Sequence, residues 1–384
     1  MDEQPIVIAA DSFKGSASSE EISVWLEQGI RRVVPNGLID KFTVADGGEG
    51  TVNALVSALK GEVKSKIVQD PLGNPVKAHY GVLPHNIVVL EMAEASGITL
   101  IEQNSENALN ASTYGVGELI LAAIDEGAKE IYIGIGGSAT SDGGTGMAKA
   151  LGVSFLDSQD NPIPNGLKGL DKLAKIDTTK IDPRIAGVKI NMLSDVTNPL
   201  IGEHGAIAVY GPQKGIPQEL IHKLDRSMVH YTKVIQESLG IAIENVPGAG
   251  AAGGLGAALK VFCQAETYKG IKKILELIAI EDKIAQASLV ITGEGKLDAQ
   301  SINGKVPVGI AKLAKKYQKP VIAVVGSRDR DISKVYEAGI DLVLPIVNRP
   351  VSLAEAMDQV QENVVIAGET AIRAYLLNNR KWEI

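Results

Sequence analysis

Residues 5–33 read PIVIAADSFKGSASSEEISVWLEQGIRRV. The first seven residues are a short apolar run, rich in β-branched side chains and bounded by polar ones, which predicts a buried strand. A polar loop follows. Ser18 with Glu21 three residues later has the pattern of a capping box, so a helix is expected to start there. Beyond it Ile22, Leu26, Gly29, Ile30 and Val33 fall on one helical face. Strand, polar loop and helix in that order form a unit of a parallel sheet.

The same rhythm recurs on either side of the middle of the chain. IDKFTVADGGEG (39–50) predicts a strand ending in glycines, and Val52, Leu55, Val56 and Leu59 then mark a helix. Near the C-terminus, SLVITGEGKLD (288–298) reads as a strand opening into glycines and GKVPVGIAKLAKKY (304–317) as a helix. PVIAVVGS (320–327) and LVLPIV (342–347) read as strands, and 351–377 as largely helical. Between these sections, 62–97 carries strand-like stretches broken at Pro71–Pro75 and at Leu83–Asn86, which predicts antiparallel hairpins. The expected fold is therefore α/β with two domains. A Rossmann/flavodoxin-like parallel-sheet domain spans 1–61 plus 265–384, and a second α/β domain, 62–264, is inserted in it. A cleft between two such domains is the expected ligand site.

Composition narrows the partners. The chain has 384 residues and a formal charge of −8. It offers no broad basic face for nucleic acid or a membrane surface. The single cysteine, Cys263, excludes an intrachain disulfide or a cysteine metal site and reads as a buried apolar residue. The five histidines are scattered and take no role. The start is acidic and turns polar quickly, unlike a signal peptide, and no apolar run nears the roughly 18 residues of a membrane span. A soluble cytoplasmic protein is expected.

Chemistry is concentrated in seven polar segments, six of them glycine-bearing, that follow predicted strands or turns: DSFKGS (11–16), ADGGEGT (45–51), GIGGSATSDGGTGM (134–147), SDVTNPL (194–200), GPQKG (211–215), PGAGAAGG (247–254) and TGEGKLDAQSINGKVP (292–307). Loops at the carboxyl ends of parallel strands converge in space. Amide N–H groups, hydroxyls, lysines and carboxylates together suit a phosphate and its Mg²⁺. The third segment leads into TGMAKALG, a predicted helix whose N-terminus would face an anion. GAGAAG (248–253) matches a dinucleotide fingerprint formally. It lacks a clear preceding strand and an acid at the right distance, so a close-packed helix start is the simpler reading. The phosphate loop GxxxxGK followed by Ser or Thr is absent.

In their order and combination these seven segments resemble the type I glycerate kinase family of bacteria, from about residue 6 to 327. The resemblance implies ATP-dependent phosphorylation of D-glycerate. The product would be 2-phosphoglycerate, with 3-phosphoglycerate as the rival. It also implies a two-domain α/β fold. Individual roles are read from the residues. Gly136, Gly137 and Ser138, with a turn at Gly293–Gly295, would cradle nucleotide phosphates. Asp46 or Asp195 would hold Mg²⁺, and Asp195 is the favoured proton acceptor. Lys14, with Lys296 or Lys214 in reserve, would neutralise the transferring group. Ser12, Lys214 and Asp298 would contact the substrate. Lys305 at a helix start would need an anion nearby. Two other classes remain open at this point: an NAD(P)-dependent oxidoreductase of a small hydroxy acid, and a non-catalytic anion-binding protein. The number of chains that assemble is left open.

Overall fold

The structure, a computed structural model, describes residues 4–302 and 304–377. In chain order its strands are β1 (Ile6–Ala10), β2 (Ile39–Thr43), β3 (Glu62–Gln69), β4 (Pro75–Leu83), β5 (Ile87–Glu91), β6 (Glu130–Gly134), β7 (Ser154–Leu156), β8 (Lys175–Asp177), β9 (Lys189–Leu193), β10 (Glu266–Tyr268), β11 (Leu289–Leu297), β12 (Val321–Arg328) and β13 (Leu342–Pro345). The chain divides into two compact units, one of residues 1–46 and 270–384 and the other of 47–269.

The first unit is built on an all-parallel sheet of order β13-β12-β11-β1-β2. Counted within the unit, that is the flavodoxin-like order 2-1-3-4-5. Every residue of β1 is buried, as a strand covered on both faces must be. Ile6, Ile8 and Ala10 share one face with Ile291 and Val324. They pack there against Ile22, Leu26 and Ile30 of the helix Ser19–Arg31 and against Val364 and Ile372 of the helix Val360–Leu377. The predicted capping box is present. The Glu21 N–H donates to Ser18 Oγ, and the Ser18 N–H donates to the Glu21 carboxylate. Such a cap contributes about 1 kcal/mol.

The second unit holds a six-stranded mixed sheet of order β10-β9-β6-β5-β4-β3, plus the small antiparallel pair β7-β8. β3, β4 and β5 pair antiparallel, as the Pro/Gly breaks predicted, while β5, β6, β9 and β10 run parallel. Its core includes Val88 and Leu90 of β5, Ile131 and Ile133 of β6, Ile190 and Met192 of β9, and Leu119, Ile120 and Ala123 of the helix Tyr114–Asp125.

The unit boundaries differ from the sequence-based division at 61/62 and 264/265 and need correction. The helix Thr51–Leu59 belongs to the second unit. Its Val52 and Val56 lie so close over Gly81 of β4 that a Cβ there would stand 2.6 Å from Val56 Cγ2. At the far end, β10 still pairs with β9, so the chain leaves the second unit only after residue 269. Periodicity identified the helix. The sheet it covers was set by the apolar surface it meets.

Candidate active site

In an open parallel sheet, the loops after two neighbouring strands part at the point where the strand order reverses, and ligands bind there. In the first unit that point lies between β1 and β11. Asp11 follows β1 directly, and its N–H donates to Gly293 O of β11 at 2.8 Å. The Asp11 carboxylate takes the Ser12 N–H at 2.7 Å and the more distant Ser12 Oγ at 3.4 Å. Burial and then the neighbouring Asp46 carboxylate push its carboxyl up to about 7, with a further contribution from Glu294; the Ser12 N–H and Lys14 pull the other way. Lys14 is exposed and forms no ion pair among the described residues. Ser12, Lys14 and Asp46 are thus gathered around a buried acid that sequence reasoning did not single out.

Glu294 is the second unanticipated acid. It lies inside β11, 5% exposed. Burial raises its pKa, opposed by Lys305 at 3.2 Å and by a hydrogen bond from Ser301 Oγ at 2.8 Å. The anion that Lys305 needs at its helix start is therefore supplied by the protein. Lys305 stands before the helix Val306–Lys316 and also lies 3.9 Å from Asp298. Lys296 is exposed and pairs loosely with Asp298 at 3.8 Å and Asp329 at 3.7 Å.

The expected phosphate turn at Gly293–Gly295 needs correction. β11 continues through it to Leu297, with Gly293 paired to Val324 and Lys296 to Ser327 of β12. Gly293 serves close backbone packing and not a turn. A Cβ on Gly293 would meet Val324 O at 2.2 Å.

In the second unit the segment 134–147 divides in two. Gly136 and Gly137, just past β6, are exposed. Gly137 has φ +75°, a left-handed conformation that glycine adopts without a Cβ penalty. The N–H groups of Gly136, Gly137 and Ser138 have no backbone acceptor among the described residues. From Ser138 to Ala148 the chain is buried. Asp142 is fully buried and accepts from Gly144 N and Gly146 N at 3.0 Å each, and from Thr113 N and Thr113 Oγ1 at 2.9 Å each. The helix Thr145–Ala150 was expected to offer its N-terminus to a ligand anion. An internal carboxylate already occupies that position. The same device closes the helix Thr51–Leu59, where Glu91 at the end of β5 takes the N–H groups of Gly50 at 3.2 Å and Val52 at 2.7 Å. Burial pushes Glu91 up to about 7, against the pull of those two N–H groups.

Lys214, expected to contact the substrate, is 3% exposed. Its ammonium donates to Ser138 Oγ at 2.9 Å and Thr140 O at 2.6 Å. Burial pushes it down to about 7, opposed only in part by the more distant Asp142. Asp195 follows β9 and is half-buried. It stands at the carboxyl end of the strand next to β6, near the level of Gly136.

GAGAAG is a packing element. No strand precedes it, and a Cβ on Gly250 or Gly253 would lie about 2 Å from Pro199 O or Thr140 O (2.1 and 2.0 Å). The dinucleotide reading loses its structural context. Cys263 is buried, as expected, and burial pushes its thiol up to about 12. Among the described residues no three His, Cys, Asp or Glu side chains are grouped to hold a metal ion. No helix among them is long and apolar enough to cross a membrane.

A family model described as the glycerate kinase family matches residues 6–376. The chain belongs to the glycerate kinase family. It is 48% identical to the glycerate kinase of Halalkalibacterium halodurans, over 92% of this chain and 93% of that one. It is 44% identical to the glycerate 2-kinase of Escherichia coli, over 94% of each. A crystal structure described as a glycerate kinase 2, from Salmonella typhimurium LT2, superposes with a TM-score of 0.88 at 41% identity, covering 98% of this chain and all of that one. Family membership makes the chain a phosphotransferase with an alcohol group as acceptor.

Asp11, Glu91 and Asp142 escaped sequence reasoning because each sits at the edge of an apolar run or inside a polar loop. One signal was available for Glu294 and Glu91: a lone acid in or ending an otherwise apolar strand, as in LVITGEG and IVVLE.

Proposed function

We propose that the chain catalyses ATP-dependent phosphorylation of D-glycerate in the cytoplasm, with 2-phosphoglycerate as the product and 3-phosphoglycerate as the competing alternative. The observation that carries this reading is the family match along 6–376, joined by the 44% identity to a protein named glycerate 2-kinase.

Phosphoryl transfer asks a protein mainly for position and charge. The Gly136–Ser138 turn offers three N–H groups without backbone acceptors, which suits phosphate oxygens. Lys14, exposed and without an ion pair among the described residues, suits the transferring group; Lys296 is the reserve. Ser12, Lys214 and Asp298 are the proposed substrate side chains, Lys214 indirectly because it is buried.

Mg²⁺ takes few protein carboxylates and keeps water and phosphate oxygens in the rest of its shell. The donor set fits such a companion of ATP, since burial and then the Asp46 carboxylate disfavour the charged form of Asp11, only partly offset by Lys14, and a cation beside them would favour it. Asp46 or Asp195 would hold the ion, which when bound neutralises phosphate charge. Two acids suit the hydroxyl proton. One is Asp195, favoured by its position after β9. The other is Asp11, whose carboxyl titrates near neutrality, where a general base works best.

Incubation with ATP, Mg²⁺ and D-glycerate, followed by phosphorus NMR, tests the reading. A phosphoglycerate resonance is expected, and its position identifies the hydroxyl. Absence of any phosphorylated glycerate overturns it. A change in NADH absorbance with hydroxypyruvate would favour the oxidoreductase.

A further inference from the structure

Lys214 presents a physical problem that the proposed activity does not solve by itself. Its ammonium is buried and is satisfied by two neutral oxygens, Ser138 Oγ and Thr140 O. No carboxylate forms an ion pair with it among the described residues, and the charge that acts on it, Asp142, is already saturated by Gly144, Gly146 and Thr113. A buried charge without a counter-ion is costly. Two further hydroxyls of the same loop, Thr140 Oγ1 and Ser141 Oγ, are buried without partners. Immediately before Ser138 lie the exposed Gly136 and Gly137, with N–H groups that have no backbone acceptor.

The hydrogen-bond directions are informative. An ammonium only donates, so when Lys214 is protonated Ser138 Oγ accepts from it and the hydroxyl's own proton is left to donate elsewhere. No acceptor for that proton lies among the described residues. We propose that Lys214 is a positioning residue that acts through Ser138, polarising its hydroxyl so that O–H and the neighbouring N–H groups together hold an anionic group of the substrates on the Gly136–Gly137 turn, with that anion as the missing counter-charge of Lys214. The shared chemistry is a carboxylate or phosphate oxygen, from glycerate or from ATP. This rests on the reading of the turn as part of the kinase site.

A proton is coupled to this arrangement. The charged group acting on Lys214 is Asp142 of the 134–147 segment. Beside Asp142 lies Tyr231 of the helix Ile221–Leu239, whose hydroxyl donates to Gly143 O at 3.2 Å and which burial keeps protonated well above neutrality. Near and above pH 7 the free protein holds Lys214 partly neutral. An anion favours the charged form, so binding draws a proton from solvent onto Lys214 Nζ.

Calorimetric titration at pH 8 in two buffers of different ionisation heat reads this directly. The ligands are D-glycerate, Mg–ATP and inorganic phosphate, each added alone to the full chain. Proton uptake is expected with glycerate or with ATP, and the ligand that shows it identifies the source of the anion. The uptake should disappear in Lys214→Met, with affinity for the same ligand falling roughly tenfold or more, as for loss of a charge-assisted hydrogen bond. Ser138→Ala should lose affinity likewise, and the double variant should lose no more than either single one. Equal heats in the two buffers for wild-type protein, uptake that survives in Lys214→Met, or no binding of any of the three ligands overturns the proposal; the first of these needs no variant to fold. If inorganic phosphate binds with uptake while glycerate is not phosphorylated, the kinase reading fails and with it the assignment of the anion to glycerate or ATP, which overturns the proposal as stated and leaves only anion binding coupled to Lys214.

Discussion

The Asp142 carboxylate accepts the Gly146 N–H at 3.0 Å, so the start of the helix Thr145–Ala150 is closed from within. A loop that looks built for phosphate spends Asp142 and Thr145 on its own fold. Asp142→Ala leaves four donors without their acceptor. Loss of stability of at least about 3 kcal/mol is expected, since each stranded buried donor costs ~1–3 kcal/mol. Urea denaturation of the variant measures it. A variant as stable as the wild type, but inactive, would place Asp142 in the chemistry instead.

Gly137 sits at φ +75° with a Cβ position 3.4 Å from Ala93 Cβ, an ordinary contact. Gly137→Ala therefore meets conformational strain and little steric clash, a cost of roughly 1–2 kcal/mol. Activity is expected to fall further than stability, because the turn itself is the proposed phosphate seat. Parallel measurement of Tm and kcat/KM checks this.

Asp11 carries a pH signature. Its folded pKa, about 7, lies above the 3.8 of an ordinary aspartate. The folded chain thus holds this proton more tightly, and the stabilisation it brings is present at low pH and lost as pH rises from about 4 to about 7. Asp11→Asn should raise Tm at pH 8 by at least about 2 °C, a gain that shrinks toward pH 4. Turnover should drop if Asp11 takes the hydroxyl proton. The matched variant Asp195→Asn separates the two acids: near-unchanged turnover removes Asp195 from the chemistry.

Lys305 and Glu294 form a partly buried pair at 3.2 Å. Lys305→Met leaves Glu294 with Ser301 as its hydrogen-bond partner, and a loss of about 2 kcal/mol is expected from stranding a buried acid. Lys296→Ala, at an exposed side chain with loose partners, should stay within about 0.5 kcal/mol of wild type. A fall in kcat for Lys296→Ala at unchanged Tm would support a role on the transferring phosphoryl group.

The amino-acid sequence by itself determined the strand–loop–helix rhythm, the capping box at Ser18, the hairpins of 62–97 and the family, because each depends on residues a few positions apart or on ordered motifs. Tertiary structure alone decided what the polar residues do. Lys214 and Ser138 are 76 residues apart in the chain and share a hydrogen bond. Glu91 closes a helix that begins some forty residues earlier. Burial, counter-charge and pKa are properties of the neighbours a side chain meets after folding. For that reason the main strands were legible from local pattern, while the end of β11, the occupied helix starts, the buried acids after β1 and within β11 and the enclosed lysine were not.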